Sequence, residues 1–174
     1  MYVFTKRGAY METQPYLSIK MIPLQDVILY SATGYLTKFW TFPRNATEWS
    51  VSMKELVLSG NDLTQLKLKA LLPEIPGAHV AYFDSHGLFA DMFTNPANYL
   101  NGTAPLNVTG CINSCVFQVG GTVGDCTEVG SLSDRDSYLW FDELHPSEQA
   151  DRIVAREMAT VMEGKTSQWA TWLS

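Results

Sequence analysis

A chain of 174 residues, 46% of them hydrophobic, is long enough for one compact domain with a real core. Its 12 basic against 18 acidic side chains give a net charge of -6, and no basic cluster exceeds the Lys6-Arg7 pair, so a polyanion would be repelled and nucleic acid is not an expected partner. No stretch reaches the roughly 20 apolar residues of a membrane span, and MYVFTKRGAYMETQPYLS lacks the basic-then-apolar order and the cleavage pattern of a signal peptide.

In chain order, SIKMIPL (Ser18 to Leu24) reads as a short buried strand stopped by Pro23 and Gln25. From Asn45 to Leu72 the residues Met53, Leu56, Val57, Gly60, Leu63, Lys67, Ala70 and Leu71 recur at helical spacing. Pro73 and Pro76 end that helix, and Gly77 begins the turn into a second strand, HVAYFD (His79 to Asp84). The two strands and the helix make one strand–helix–strand unit, which points to an α/β protein with parallel strands. A short helix is expected over His86 to Phe93, before Asn95-Pro96. Ala97 to Asp136, rich in Gly, Asn, Thr and Ser, reads as irregular. Tyr138 to Phe141 is an extended approach and Asp142 to His145 a turn. A last helix begins with Pro146 in its first position and Glu148 in its first turn, and Ile153, Val154, Met158, Val161 and Met162 form its apolar face. No internal repeat is present.

The turn carries the candidate chemistry. A general-base imidazole needs one nitrogen facing the proton it takes, and a carboxylate on the other nitrogen fixes the tautomer and stabilises the imidazolium. Asp142, three residues before His145, can supply that carboxylate on a tight turn. The alternative is that Asp142 and Glu143 merely cap the following helix. Paired-carboxylate glycoside hydrolysis from Asp142 and Glu143 is a poorer reading still, because adjacent side chains cannot flank one sugar from two sides. Trp140 is either a stacking surface for a sugar or part of the core. His86 reads as a loop histidine satisfied by a backbone carbonyl, and His79 as structural.

Three acceptor patterns for N-glycosylation, at Asn45, Asn101 and Asn107, favour an exported glycoprotein over chance enrichment of Asn and Thr in turns. Cys115 and Cys126 bracket the Gly-rich VFQVGGTVGD and are expected to pair, leaving Cys111 odd. The Cys111–Cys115 spacing has no second pair after it, so no metal is expected.

The string DELHPSEQADRIVAREM resembles the last conserved block of the SGNH (GDSL-type) ester hydrolases, most closely the fungal group of carbohydrate esterase family sixteen. MIPLQDVILYS and PGAHVAYFDSHGLFADMFTNPANYLNGT resemble other segments of that group, in the right order. The resemblance spans roughly residues 18–174 and leaves 1–17 unmatched. It implies the C-terminal half of a flavodoxin-like three-layer α/β/α sandwich whose N-terminal portion is missing. It also implies a Ser-His-Asp triad without cofactor, and removal of acetyl groups from sugars or oligosaccharides in the extracellular space. Asp142 matches the triad acid and His145 the general base. The family's Gly-Asp-Ser nucleophile segment has no counterpart here; Ser59-Gly60-Asn61-Asp62 lies mid-helix, and Gly60 is better read as a packing position. The expected activity is therefore that of an acetyl-ester hydrolase acting with a serine from elsewhere, and the chain alone should be nearly inert. A non-catalytic sugar-binding glycoprotein and a fragment without function are the alternatives. Oligomeric state is not legible.

Overall fold

In the computed structural model, residues 15–19, 45–117, 123–142 and 145–174 are described. Strand β1 (Pro15–Ile19) pairs in parallel with β2 (His79–Phe83), Pro15 beside His79 and Ile19 beside Phe83. The expected first strand overlaps β1 only at Ser18 and Ile19; its remaining residues lie outside the described ones. Between the two strands in sequence runs α1 (Ala46–Leu71). It opens where the Asn45 side chain accepts from the Glu48 N–H at 3.1 Å, satisfying one of the amides a helix start leaves orphaned. A single 3₁₀ turn over Leu72–Glu74 follows at Pro73, and Gly77 takes a left-handed φ of 79° that a side chain would strain.

The apolar stripe expected on α1 is buried only in part, at Val57 and, half-buried, at Gly60. Leu56, Leu63 and Leu71 are exposed, whereas Val57 and Asn61 are buried and Thr64 and Leu68 half-buried. Two polar residues, Asn61 and Thr64, lie on the packing face. Thr64 donates its hydroxyl to the Gly60 carbonyl at 2.8 Å, and the Asn61 carbonyl accepts the buried Tyr82 hydroxyl at 2.8 Å. Counting hydrophobic residues therefore selects a stripe that overlaps the buried face only in part.

Strand β2 is buried from Val80 to Phe83, as a strand covered on both faces must be. Its second edge is taken by β7 (Ala170–Trp172), antiparallel and unforeseen from the sequence. Asp84 ends the strand and caps α2 (Ser85–Thr94), accepting from Gly87 N–H at 2.8 Å. His86 thus sits in the first turn of a helix and not in a loop. Leu88, Phe89 and Met92 of α2 join Phe83, Leu139, Trp140, Ile153 and Val161 in the core.

The stretch expected to be irregular contains β3 (Asn107–Cys111), β4 (Asn113–Phe117), β5 (Val123–Glu128) and a one-turn helix α3 (Leu132–Arg135). Strand β3 pairs in parallel with β6 (Tyr138–Trp140), while β4 and β5 form an antiparallel ladder in which Cys115 faces Cys126. The molecule is α/β. Among the described residues, however, its strands fall into one three-stranded and two two-stranded sheets, not one parallel sheet.

Helix α4 (Glu148–Met162) begins two residues later than expected. Ser147 is its cap, the buried hydroxyl accepting from Ala150 N–H at 3.1 Å, so Pro146 precedes the cap and makes a bridge to Trp140. Ile153 and Val161 are buried and Val154 and Met158 pack on the core, but Met162, assigned to the apolar face from spacing, is 54% exposed.

Candidate active site

The candidate pair stands on a loop tied down at both stems. As the chain leaves β6, the Phe141 N–H donates to the His145 carbonyl at 2.9 Å and the Ser147 N–H to the Leu139 carbonyl at 3.0 Å, so His145 to Ser147 lie back against the strand just made. On the other side, the start of β4 straps the same segment, with Ile112 N–H on the Trp140 carbonyl at 3.1 Å and Asn113 N–H on the Phe141 carbonyl at 2.6 Å. Nothing in composition or periodicity announces that strap. It depends on pairing between segments nearly 30 residues apart in sequence, read directly from these bonds.

Within the turn, the Asp142 carboxylate closes on His145 three times. Its Oδ1 accepts from the His145 backbone N–H at 2.7 Å, and Oδ1 and Oδ2 lie 2.9 and 2.8 Å from the imidazole Nδ1. A carboxylate accepts only, so Nδ1 carries the proton and, in the neutral ring, Nε2 holds the lone pair of a base. The acid is sheltered, its side chain 20% exposed, and the imidazole stands out at 68%. The capping role considered for Asp142 is filled by Ser147, and Glu143 lies outside the described residues. Asp151, in the first turn of α4, has its carboxyl raised above the ordinary range by burial and by the neighbouring charge of Glu148, with His145 acting in the opposite direction.

Trp140 cannot take the stacking role considered for it. The ring is 1% exposed, stacks on Phe89 with centroids 5.5 Å apart, and donates its indole N–H to the Val108 carbonyl at 2.8 Å. It is core, two residues behind the acid. Cys115 and Cys126 are joined in a disulfide, and the buried Cys111 donates its thiol to the Asn113 carbonyl at 3.3 Å. Among the described residues no group of three or more His, Cys, Asp or Glu could hold a metal ion, and no helix is long and apolar enough to cross a membrane. Of the three sequon asparagines, Asn45 and Asn101 are exposed and Asn107 is half-buried. His79 opens β2 at the surface.

Comparison with known proteins bears on this geometry. The chain is 36% identical over 132 residues to an acetylesterase of Hypocrea jecorina, an alignment covering 74% of this chain and 35% of that protein. It is 32% identical over 105 residues to one GDSL esterase/lipase of Arabidopsis thaliana (56% of this chain, 27% of the relative) and 31% identical over 108 residues to another (60% and 28%). No family model matches. The chain is a relative of the GDSL esterases and corresponds to a C-terminal portion of them. Its matches span about a third or less of the length of these curated relatives.

Proposed function

We propose that this chain is the acid–base portion of a GDSL-type ester hydrolase that removes acetyl groups from carbohydrates, after the manner of the fungal family-sixteen carbohydrate esterases. The single observation that carries the reading is the Asp142 carboxylate held on Nδ1 of an exposed imidazole. In the proposed reaction His145 Nε2 takes the proton of a serine hydroxyl as its oxygen attacks the ester carbonyl. Asp142 stabilises the imidazolium that forms, and the proton passes to the departing sugar oxygen. A water activated by the same imidazole then releases acetate from the acetyl-serine. The serine and the oxyanion donors come from the part of the relatives that this chain does not match. Residues 18–174 then form the C-terminal half of a three-layer sandwich. The protein works outside the cell, with glycans at Asn45, Asn101 and Asn107.

The sheltered acid and presented base suit this use, because a carboxylate partly out of water orients and stabilises an imidazolium better than a solvated one. A serine hydrolase without its nucleophile loses on the order of a million-fold in rate, and one oxyanion donor is worth roughly a hundred- to a thousand-fold. The test compares the 174-residue chain with the same chain joined behind the N-terminal portion of the Hypocrea jecorina acetylesterase, on acetylated oligosaccharide and on aryl esters of rising acyl length. The joined form should hydrolyse acetyl esters in preference to longer ones, and the lone chain should be nearly inert. Equal rates for the two forms, or a joined form that favours long acyl chains, would overturn the assignment.

A further inference from the structure

At the end of β6 away from Asp142, a cavity of about 220 Å³ opens between the β3–β6 pair and the β4–β5 hairpin, lined among others by Asn107, Gly110, Ser114, Thr127, Glu128 and Tyr138. It falls below the roughly 300–1,000 Å³ of a site for a drug-sized ligand, and its walls carry hydroxyl, carboxylate and amide groups beside one phenol ring. Asn107 is the acceptor residue of the Asn107-Val108-Thr109 sequon.

Two features place that amide, and the strand register supplies its neighbour. Asn107 Oδ1 accepts from the backbone N–H groups of Thr109 at 3.2 Å and Gly110 at 2.7 Å, which pins the planar amide from its oxygen side. The amide then lies over Gly110, where an added Cβ would stand 2.8 Å from the nitrogen and 3.1 Å from Oδ1, so a side chain there would press on it. Across the ladder, Asn107 is in register with Tyr138, whose ring offers an apolar face and a polar tip.

We propose that this cavity seats the first sugar of an N-linked glycan on Asn107, against Tyr138 and over Gly110. The proposal rests on the reading of the chain as an exported glycoprotein. In the transfer, Asn107 Nδ2 displaces the diphosphate of a lipid-linked oligosaccharide donor and loses one proton. It keeps one N–H, and Oδ1 keeps both of its acceptor bonds. The attached sugar ring then has an aromatic face beside it and the side chains of the hairpin opposite, whereas Asn101 and Asn45, both exposed, hold their glycans in solvent.

The experiment uses the full 174-residue chain secreted from a eukaryotic host, with site occupancy read by glycopeptide mass mapping and glycan release by peptide N-glycosidase followed with and without denaturant. In the native protein the Asn107 glycan should be released about tenfold more slowly than that of Asn101, the protection expected where release requires a local opening. The difference should vanish in denaturant. Tyr138→Ser should remove the protection while leaving occupancy unchanged, and Gly110→Ala, which crowds the amide without touching the ring, should do the same. Native release at Asn107 as fast as at Asn101, or protection indifferent to both substitutions, would overturn the seat and leave the export reading standing. Glycosylation at Asn101 with Asn107 bare would also overturn it. Secreted protein unglycosylated at every sequon would remove the export reading and the seat together.

Discussion

Replacing Trp140 separates a core residue from a substrate-binding one. The ring is 1% exposed, stacks on Phe89 and donates to the Val108 carbonyl. Truncation to alanine removes the packing of a fully buried aromatic, a change that costs about 3–5 kcal/mol. Trp140→Phe keeps a ring to stack on Phe89, worth roughly 0.5–1.5 kcal/mol beyond its burial. It loses the indole N–H, and a carbonyl left without its donor costs about 1–3 kcal/mol. Val108 is only half-buried, so water can reach part of that deficit and the lower end applies. Chemical denaturation of the joined form, followed by circular dichroism, should therefore rank wild type above Trp140→Phe by about 1–2 kcal/mol and above Trp140→Ala by at least about 3 kcal/mol. Because the ring does not reach the surface, the KM of Trp140→Phe for an acetylated oligosaccharide should match that of the wild type. An alanine variant within about 1 kcal/mol of wild type, or a phenylalanine variant of normal stability with a raised KM, would refute the reasoning.

Ser147→Ala removes the buried cap of α4 and should cost about 1 kcal/mol, with hydrogen exchange accelerated at Ala150, whose N–H the hydroxyl accepts. Tyr82 and Tyr99 are both pushed up to about 12: Tyr82 by burial and then by the charges of Asp84 and Asp62, Tyr99 by burial and then by its hydrogen bond to Asp91. In the unfolded chain these phenols ionise near 10, so between about pH 10 and 12 the unfolded state binds fewer protons and stability falls as pH rises. Ultraviolet titration should find Tyr82 and Tyr99 among the late tyrosines of the folded protein, and Tyr99→Phe should remove one late phenol. At the acid end, Asp91 is held below the ordinary carboxylate range by its hydrogen bonds from Tyr99 and Asn95. Its contribution is present above the unfolded pKa and is lost as pH falls through the folded one. Tyr99→Phe should shrink that acid-side loss in a pH series of denaturation curves.

What the sequence disclosed follows from the range of the interactions involved. Helix α4 and strand β2 are legible because their periodicity and end signals are local, and Asn45 and Pro73 mark the limits of α1 for the same reason. The three-residue spacing of Asp142 and His145 ahead of a helix suits a helix cap as well as an acid–base pair, and the resemblance of the string DELHPSEQADRIVAREM is what singled the pair out. The face that α1 buries was legible only in part: Val57 was on the expected stripe, but Asn61 and Thr64 also turn inward, and no hydrophobicity count selects them. Nor were β7 and the β4–β5 hairpin. The first is a three-residue strand formed only by pairing with β2, and the second is a Gly- and Thr-rich segment whose strands are joined across the ladder at Cys115 and Cys126. Likewise Pro146 matched the preference of a first helical position, but the hydroxyl one residue later made the better cap.

The most direct measurement is the rate of acetyl-ester hydrolysis by the joined protein carrying Asp142→Asn, His145→Ala, or both. If Asp142 acts through the imidazole it holds, each single change lowers kcat by several orders of magnitude and the double variant is no slower than His145→Ala alone, as expected of residues that work as a unit. Multiplying losses in the double variant, or a His145→Ala protein that keeps wild-type kcat, would contradict the assignment of this turn as the acid–base site.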